Sequence, residues 1–408
     1  MDRTSACGIT QDWYNETGVQ GRMELTWRYV VSGNSLSQRR AMSKVLCILL
    51  FFTLVSCIKG LPVKNTSSAN GMETEQEPEW LMVGGQKVYN FEQPRQYEYY
   101  LKSEAENVTG VRLLINPKSK NIATNLEGIE QLVNLQRLYL LGLNLDELDY
   151  SPLRTLQNIE RITFDCGNVS KMTKIPDLSF MASRDKIKEI LFAHCTLANF
   201  DNIEFFHNLR FVEAWNATAF DNLKALDNLQ YLETLRISTV DSIFRIEDIP
   251  SLINLKELLL HGKQIDVKGI ENLTVLEEVR FFKSEIINTV FISELRNLQW
   301  LEMIMRDKNP DIRFLNNMKS LKKLKIYAYD DIWDNMRNLM PYQVIDISPI
   351  GSLSQLNYLE LHGFILQNIA VLDGLNNLEK AYVYYSVLKD DSERTEKHLV
   401  FSAEADGH

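Results

Sequence analysis

The chain has 408 residues, 44 of them basic and 54 acidic, and its net charge of −10 excludes a nucleic-acid binder that works through overall positive charge. With 45% hydrophobic and 24% charged residues, it is neither mainly disordered, nor collagen-like, nor polytopic. Five cysteines in this length exclude a disulfide-dense scaffold.

In chain order, the long apolar run is Val45 to Val55, eleven residues, too short to span a bilayer and the right length for a signal-peptide core. Arg39, Arg40 and Lys44 precede it. The tetrapeptide Leu54-Val55-Ser56-Cys57 that follows resembles a bacterial lipobox, in which the Cys57 thiol is acylated and becomes the first mature residue. A start at Met1 would make the signal 56 residues long, so initiation is expected at Met42 or Met23, leaving residues 1–41 without a structural role. The competing reading makes Val45–Val55 a buried element of a cytosolic protein. From Cys57 the mature chain has 352 residues and a charge of −12. Residues 57–75 read as a flexible polar tether, residues 76–128 as an N-terminal cap with Val111-Arg112-Leu113 as a first strand, and residues 389–408 as a disordered tail.

Between Ile129 and Val383 one pattern recurs: apolar residues at every third position, then an apolar-x-apolar pair. The clearest copies are Ile249/Leu252/Leu255/Leu258/Leu260 and Ile350/Leu353/Leu356/Leu359/Leu361. The pairs begin at Leu138, Ile162, Ile190, Val212, Leu235, Leu258, Val279, Leu301, Leu324, Leu359 and Ala381, with spacings of 21 to 24 residues interrupted by one of 28 and one of 35. This resembles the leucine-rich repeat family, and more narrowly its 22-residue internalin-like bacterial class, to which Asp346-Ile347-Ser348-Pro349-Ile350-Gly351-Ser352-Leu353 is the nearest match. The resemblance implies an α/β repeat solenoid over residues 129–388, a horseshoe or arc. Its parallel sheet lines the concave face, with short helical or 3-10 turns on the convex face. The long units place insertions near 171–183 and 330–344; such insertions often form a binding face, and the preferred reading of the second is a loop packed back on the convex side with Trp333, Met336 and Tyr342 as anchors.

One departure is plain. The family usually has a buried Asn five residues after each strand start, bonding neighbouring turns. Here those positions include Gly167, Cys195, Lys263, Ser284, Phe364 and Ser386, and no Asn. Irregular turns and a less uniform curve are expected, because orphaned backbone groups cost about 1–3 kcal/mol each.

Residues flanking the inward pair face outward on the sheet, each offset forming a row about 4.8 Å apart. Eleven of 33 such positions are aromatic or His, the side-chain types that with Arg dominate interface cores. The candidate partner-binding residues are Trp215, His261, Arg280, Phe282, Trp300, Tyr327, Tyr358, His362, Tyr382 and Tyr384. The bland alternative is cross-strand packing that only stabilises the sheet. Arg280, Glu302, Lys325 and Glu360 alternate in sign along one row and read as a solvated ion-pair ladder.

Catalytic chemistry is hard to place. Glu257 and Glu278 should lie side by side, but on an open surface where nothing evident shifts either pKa, and His261 beside them is a weak metal signal. No HExxH, GxSxG, phosphate loop or GxGxxG occurs. Cys166 and Cys195 differ in offset, Cys195 inward and Cys166 outward; a disulfide is open to them in an oxidising compartment, and two free thiols is the preferred reading. Asn107, Asn168, Asn216 and Asn272 stand in N-x-S/T sequons that would matter only in a eukaryotic secreted chain.

The expectation is therefore a monomeric, non-enzymatic, lipid-anchored protein of the bacterial envelope, at the outer membrane or surface rather than the inner membrane. It would bind a host or envelope protein and no nucleic acid, metal or cofactor. The alternatives are a glycan-active enzyme using Glu257 and Glu278 with Trp300 as a sugar platform, and a cytosolic scaffold.

Overall fold

The computed structural model describes residues 5–14, 20–29, 78–88, 99–116, 124–142, 145–167, 175–195, 200–217, 223–239, 242–249, 252–305, 310–328, 343–384, 386–388 and 399–402. They fall into two units, 1–76 and 77–408. In the first, Ser5–Tyr14 and Gln20–Tyr29 pair as an antiparallel hairpin. Val45–Val55, Cys57 and the tether lie outside the described residues, as do Trp333, Met336, Tyr342 and most of the second insertion.

The second unit is organised by a thirteen-stranded sheet. Its strands are Gly110–Ile115, Arg137–Gly142, Arg161–Asp165, Glu189–Ala193, Phe211–Ala217, Thr234–Thr239, Glu257–His261, Glu278–Phe282, Trp300–Ile304, Lys323–Tyr327, Tyr358–His362, Lys380–Tyr384 and Leu399–Ser402. All run parallel in chain order. Each expected apolar pair sits inside one of these strands, and Val111-Arg112-Leu113 lies in the first. Leu258 and Leu260, like Leu324 and Ile326, are fully buried, because a period of two sends alternate side chains to one face. The fold is a leucine-rich repeat solenoid.

The every-third series has an equally direct cause. A 3-10 turn bonds residue i to i+3, as in Leu255 N to Leu252 O at 3.0 Å and Leu356 N to Leu353 O at 3.0 Å, so its apolar residues stack on one side and enter the core. Successive repeats are tied by backbone bonds just before each strand, from Lys256 N to Glu233 O, Gln299 N to Glu277 O and Lys322 N to Gln299 O, each 2.8 Å. Across the 35-residue unit the tie persists, Asn357 N to Lys322 O at 2.9 Å. The insertion leaves the strand register intact.

Several expectations need correcting. Within 171–183, Ile175, Leu178 and Met181 are buried and continue the every-third series. The tail is not wholly disordered, since Leu399–Ser402 pairs with Ala381–Tyr384. Two further three-stranded parallel sheets appear, Ile243–Arg245 with Gln264–Asp266 and Glu285–Ile287, and Gln343–Asp346 with Phe364–Gln367 and Val387–Leu388.

The ladder exists, built from other residues. Asn134, Asn158, Asn208, Asn254, Asn297 and Asn377, each four residues before a pair, donate through Nδ2 to a backbone carbonyl one repeat back at 2.6 to 3.1 Å. At the usual ladder position, Ser284 Oγ accepts from Gly262 N at 2.9 Å and donates to Phe282 O at 2.6 Å, and Ser386 Oγ does the same for Phe364 N and Tyr384 O. Between Arg161–Asp165 and Glu189–Ala193 the link is covalent: Cys166 and Cys195 form a disulfide with Cα atoms 4.9 Å apart. Both are buried, which corrects the reading of free thiols and of an outward Cys166. The left-handed backbone at His194, φ 55°, turns the chain so that Cys195 faces its neighbour despite the unequal offsets.

Candidate functional site

The strand register assembles the expected rows on the open face of the sheet. One row runs Glu257, Glu278, Trp300, Lys323, Tyr358, Lys380. The next runs Arg280, Glu302, Lys325, Glu360, Tyr382, and the third contains Ile304, Tyr327, His362 and Tyr384. His261 and Phe282 are register partners further along. Trp215 stands apart from this cluster, 43% exposed, where the pairing shifts register between Ile237 and Thr239.

The C-terminal half of this face is a packed aromatic and charged layer. His362 is sandwiched between Tyr327 and Tyr384, 4.5 Å from each ring, and Tyr382 stacks on Tyr384 and lies 5.5 Å from Tyr358. His362 is consequently only 3% exposed, so it supports the stack and offers little to a partner. Its Nε2 lies 2.7 Å from Glu360 Oε1. A carboxylate only accepts, so Nε2 carries the hydrogen, and Nδ1 is left buried with no partner among the described residues.

Glu360 is the hub. It accepts from Tyr358 at 2.6 Å, Lys325 Nζ at 2.9 Å and Tyr327 at 3.3 Å, besides His362. Burial pushes its carboxyl up, but the hydrogen bonds from His362, Tyr358 and Lys325 outweigh that and hold it down at about 2. Burial, followed by the nearby carboxylates, pushes the Tyr327 phenol up. For Glu302 burial prevails: it is 6% exposed, and its carboxyl is raised despite Lys325 and Arg280 nearby. The alternating row is thus not a solvated ladder, because Glu302 and Glu360 are both buried.

Lys323 Nζ stands 3.6 Å from the Trp300 ring centroid, with Arg280 Cζ 4.8 Å from the same ring, a cation–π arrangement. Trp300 is therefore occupied by cations and is no open sugar platform. Glu257 and Glu278 are register partners as expected, yet Arg236 grips Glu257 with two bonds, 2.7 and 3.1 Å, and Arg280 Nε lies 2.8 Å from Glu278. Burial raises the Glu278 carboxyl, which corrects the expectation of an unshifted pair. Each carboxylate already has its cation, an arrangement suited to binding or packing rather than acid–base work. His261 Nδ1 is 2.9 Å from Ser238 Oγ, and no group of three metal-ligating side chains occurs among the described residues.

Sequence reasoning placed Glu302 and Glu360 on this face but as solvated residues, and did not single out Lys323 beside them. A signal was present: Trp300, Tyr327 and Tyr358 surround them in adjacent rows, and rings that large cover whatever lies between. It also missed a cluster beside the disulfide, where Asp165 accepts from Tyr139 at 2.6 Å and from Gly167 N at 3.2 Å and lies 3.1 Å from His194 Nδ1. Burial and Asp165 push the Tyr139 phenol up to about 12.

Among solved structures the chain is similar to an internalin, InlF, of Listeria monocytogenes, at 19% identity over 72% of this chain and 78% of that one, TM-score 0.49. It is also similar to the plant peptide hormone receptor RGFR1, solved in complex with RGF2, at 18% identity over 71% of this chain and 49% of that one, TM-score 0.45. A leucine-rich repeat protein of Leptospira interrogans shares 15% identity over 69% of this chain and 86% of that one, TM-score 0.34. No protein-family model and no curated protein matches the chain. By its own register and period, the described part of the second unit has the leucine-rich repeat solenoid fold.

Proposed function

We propose that this chain is a non-enzymatic, monomeric protein-interaction module, held at a bacterial envelope by lipid on Cys57, whose host or envelope protein partner docks on the open face of the thirteen-stranded sheet. The observation that carries the binding reading is the continuous layer from Trp300 to Tyr384, in which half-exposed rings hold lysines rather than apolar cover. Rings and cations presented together on a rigid sheet are the material of interface hot spots. Export is supported by the Cys166–Cys195 disulfide, which suits an oxidising compartment, and anchoring by the Leu54-Val55-Ser56-Cys57 tetrapeptide.

The test of binding is quantitative capture from the native organism with wild type, Tyr358→Ala and Val290→Ala as baits, Val290 being an exposed residue in a 3-10 turn. The reading expects one protein lost from the Tyr358→Ala capture and kept by Val290→Ala; equal recovery by all three contradicts it. For anchoring, the mass of the mature N-terminus decides: an acylated Cys57 supports the envelope, and an unmodified Met1, Met23 or Met42 rules it out.

A further inference from the structure

The charged row across the centre of the face contains one member that its neighbours pass over. Arg280 and Lys325 are the register partners of Glu302 on either side. Arg280 turns instead to Glu278, 2.8 Å away, and to Glu257 at 3.6 Å, and Lys325 turns to Glu360 at 2.9 Å. Lys323 lies on the Trp300 ring. Among the described residues no hydrogen bond or ion pair reaches the Glu302 carboxylate, although the residue is 94% buried. A largely buried carboxylate that no donor contacts is unfavourable, and the nearby cations, Lys325, Arg280 and Lys323, make no ion pair with it and leave its carboxyl raised by burial.

We propose that Glu302 is the anchor for a basic side chain, lysine or arginine, that a peptide or protein partner inserts into the centre of this face. The inference rests on the open face being a protein-docking surface and deepens that reading by naming the partner's chemistry. An incoming ammonium or guanidinium supplies the direct ion pair that Arg280 and Lys325 make with Glu278 and Glu360 instead, at a largely buried position where such a pair is stronger than in open water. An acidic partner would address Lys323 instead, the ammonium on Trp300, and is the opposing outcome.

The experiment is selection of a displayed random twelve-residue peptide library on immobilised protein, run with wild type, Glu302→Gln and Tyr358→Ala, each checked for folding by thermal melting. Glu302→Gln keeps the shape and removes the charge. The expected result is a wild-type peptide set with a basic residue fixed at one position, whose change to Ala weakens binding at least tenfold to wild type and has little effect on Glu302→Gln. Peptides that bind wild type and not Tyr358→Ala, but carry no fixed basic residue or bind Glu302→Gln equally, overturn the proposal and leave the docking reading standing. Selection of acidic peptides also overturns it. If no peptide prefers wild type over Tyr358→Ala, both fall.

Discussion

Lys325 pairs with Glu360 on the next strand, 2.9 Å away, and in doing so leaves Glu302, its register partner on the other side, without an ion-pair contact. Two buried carboxylates in one row thus have opposite energetics. Glu360→Gln removes the charge and one of the two oxygens that accept from four groups, and should destabilise the solenoid by about 3 kcal/mol. Glu302→Gln removes a buried charge that makes no ion pair and should stabilise it by about 1 kcal/mol. Melting temperatures at neutral pH check both; a loss of stability on Glu302→Gln would mean that the carboxylate has a partner in solution.

Acidification should separate the same two residues. Glu360 is depressed to about 2 from an ordinary 4.5, so its contribution is fully present above about pH 5 and is lost as pH falls through the folded value. Glu302 is raised, so its ionised form penalises the fold at neutral pH and the penalty is relieved as pH falls. The stability gap between wild type and Glu302→Gln should therefore begin to close at a higher pH than the gap between wild type and Glu360→Gln. Urea titrations of the three proteins at closely spaced pH values measure it.

The disulfide closes a segment of 29 residues and should contribute about 3 kcal/mol. Cys166→Ser and Cys195→Ser variants should each lose that much. Intact mass after alkylation without reductant should find both cysteines blocked; labelling of either one would refute the bond.

Backbone approach sets a sharper limit at Gly142. A Cβ there would lie 1.9 Å from Ile115 O, inside the first two strands, so Gly142→Ala should cost about 2 kcal/mol or more. Ladder residues should divide by burial. Ser284→Ala orphans the buried Gly262 N–H and should cost about 1–3 kcal/mol, whereas Asn254→Ala exposes Gln230 O to water and should cost about 1 kcal/mol or less. Chemical denaturation ranks the three.

The strands were legible because two inward leucines separated by one residue repeat with a fixed period, and the open-face rows follow from that register. The small lateral sheets were not legible: a strand such as Gln264–Asp266 sends one residue, Ile265, into the core, which leaves no period to read. The ladder was sought five residues after each strand start, while the Asn254-Leu255 and Asn297-Leu298 doublets before the strands stood in plain view. Cys166 and Cys195 looked unsuited to bonding on offset alone, because the turn imposed by the positive φ of His194 is invisible in a sequence pattern. Burial of Glu302 and Glu360 escaped notice because it depends on rings from neighbouring strands, as does the seclusion of His362 between two tyrosines.

Site-specific photocrosslinking in the native cell reads out directly whether a protein docks on the open face of the sheet. A photoreactive residue placed at Trp215, Trp300 or Tyr382 should join the chain to one common protein, and the same residue at Val290 should not. Crosslinks to that protein from Val290 alone, or none from any of the three face positions, would contradict the account.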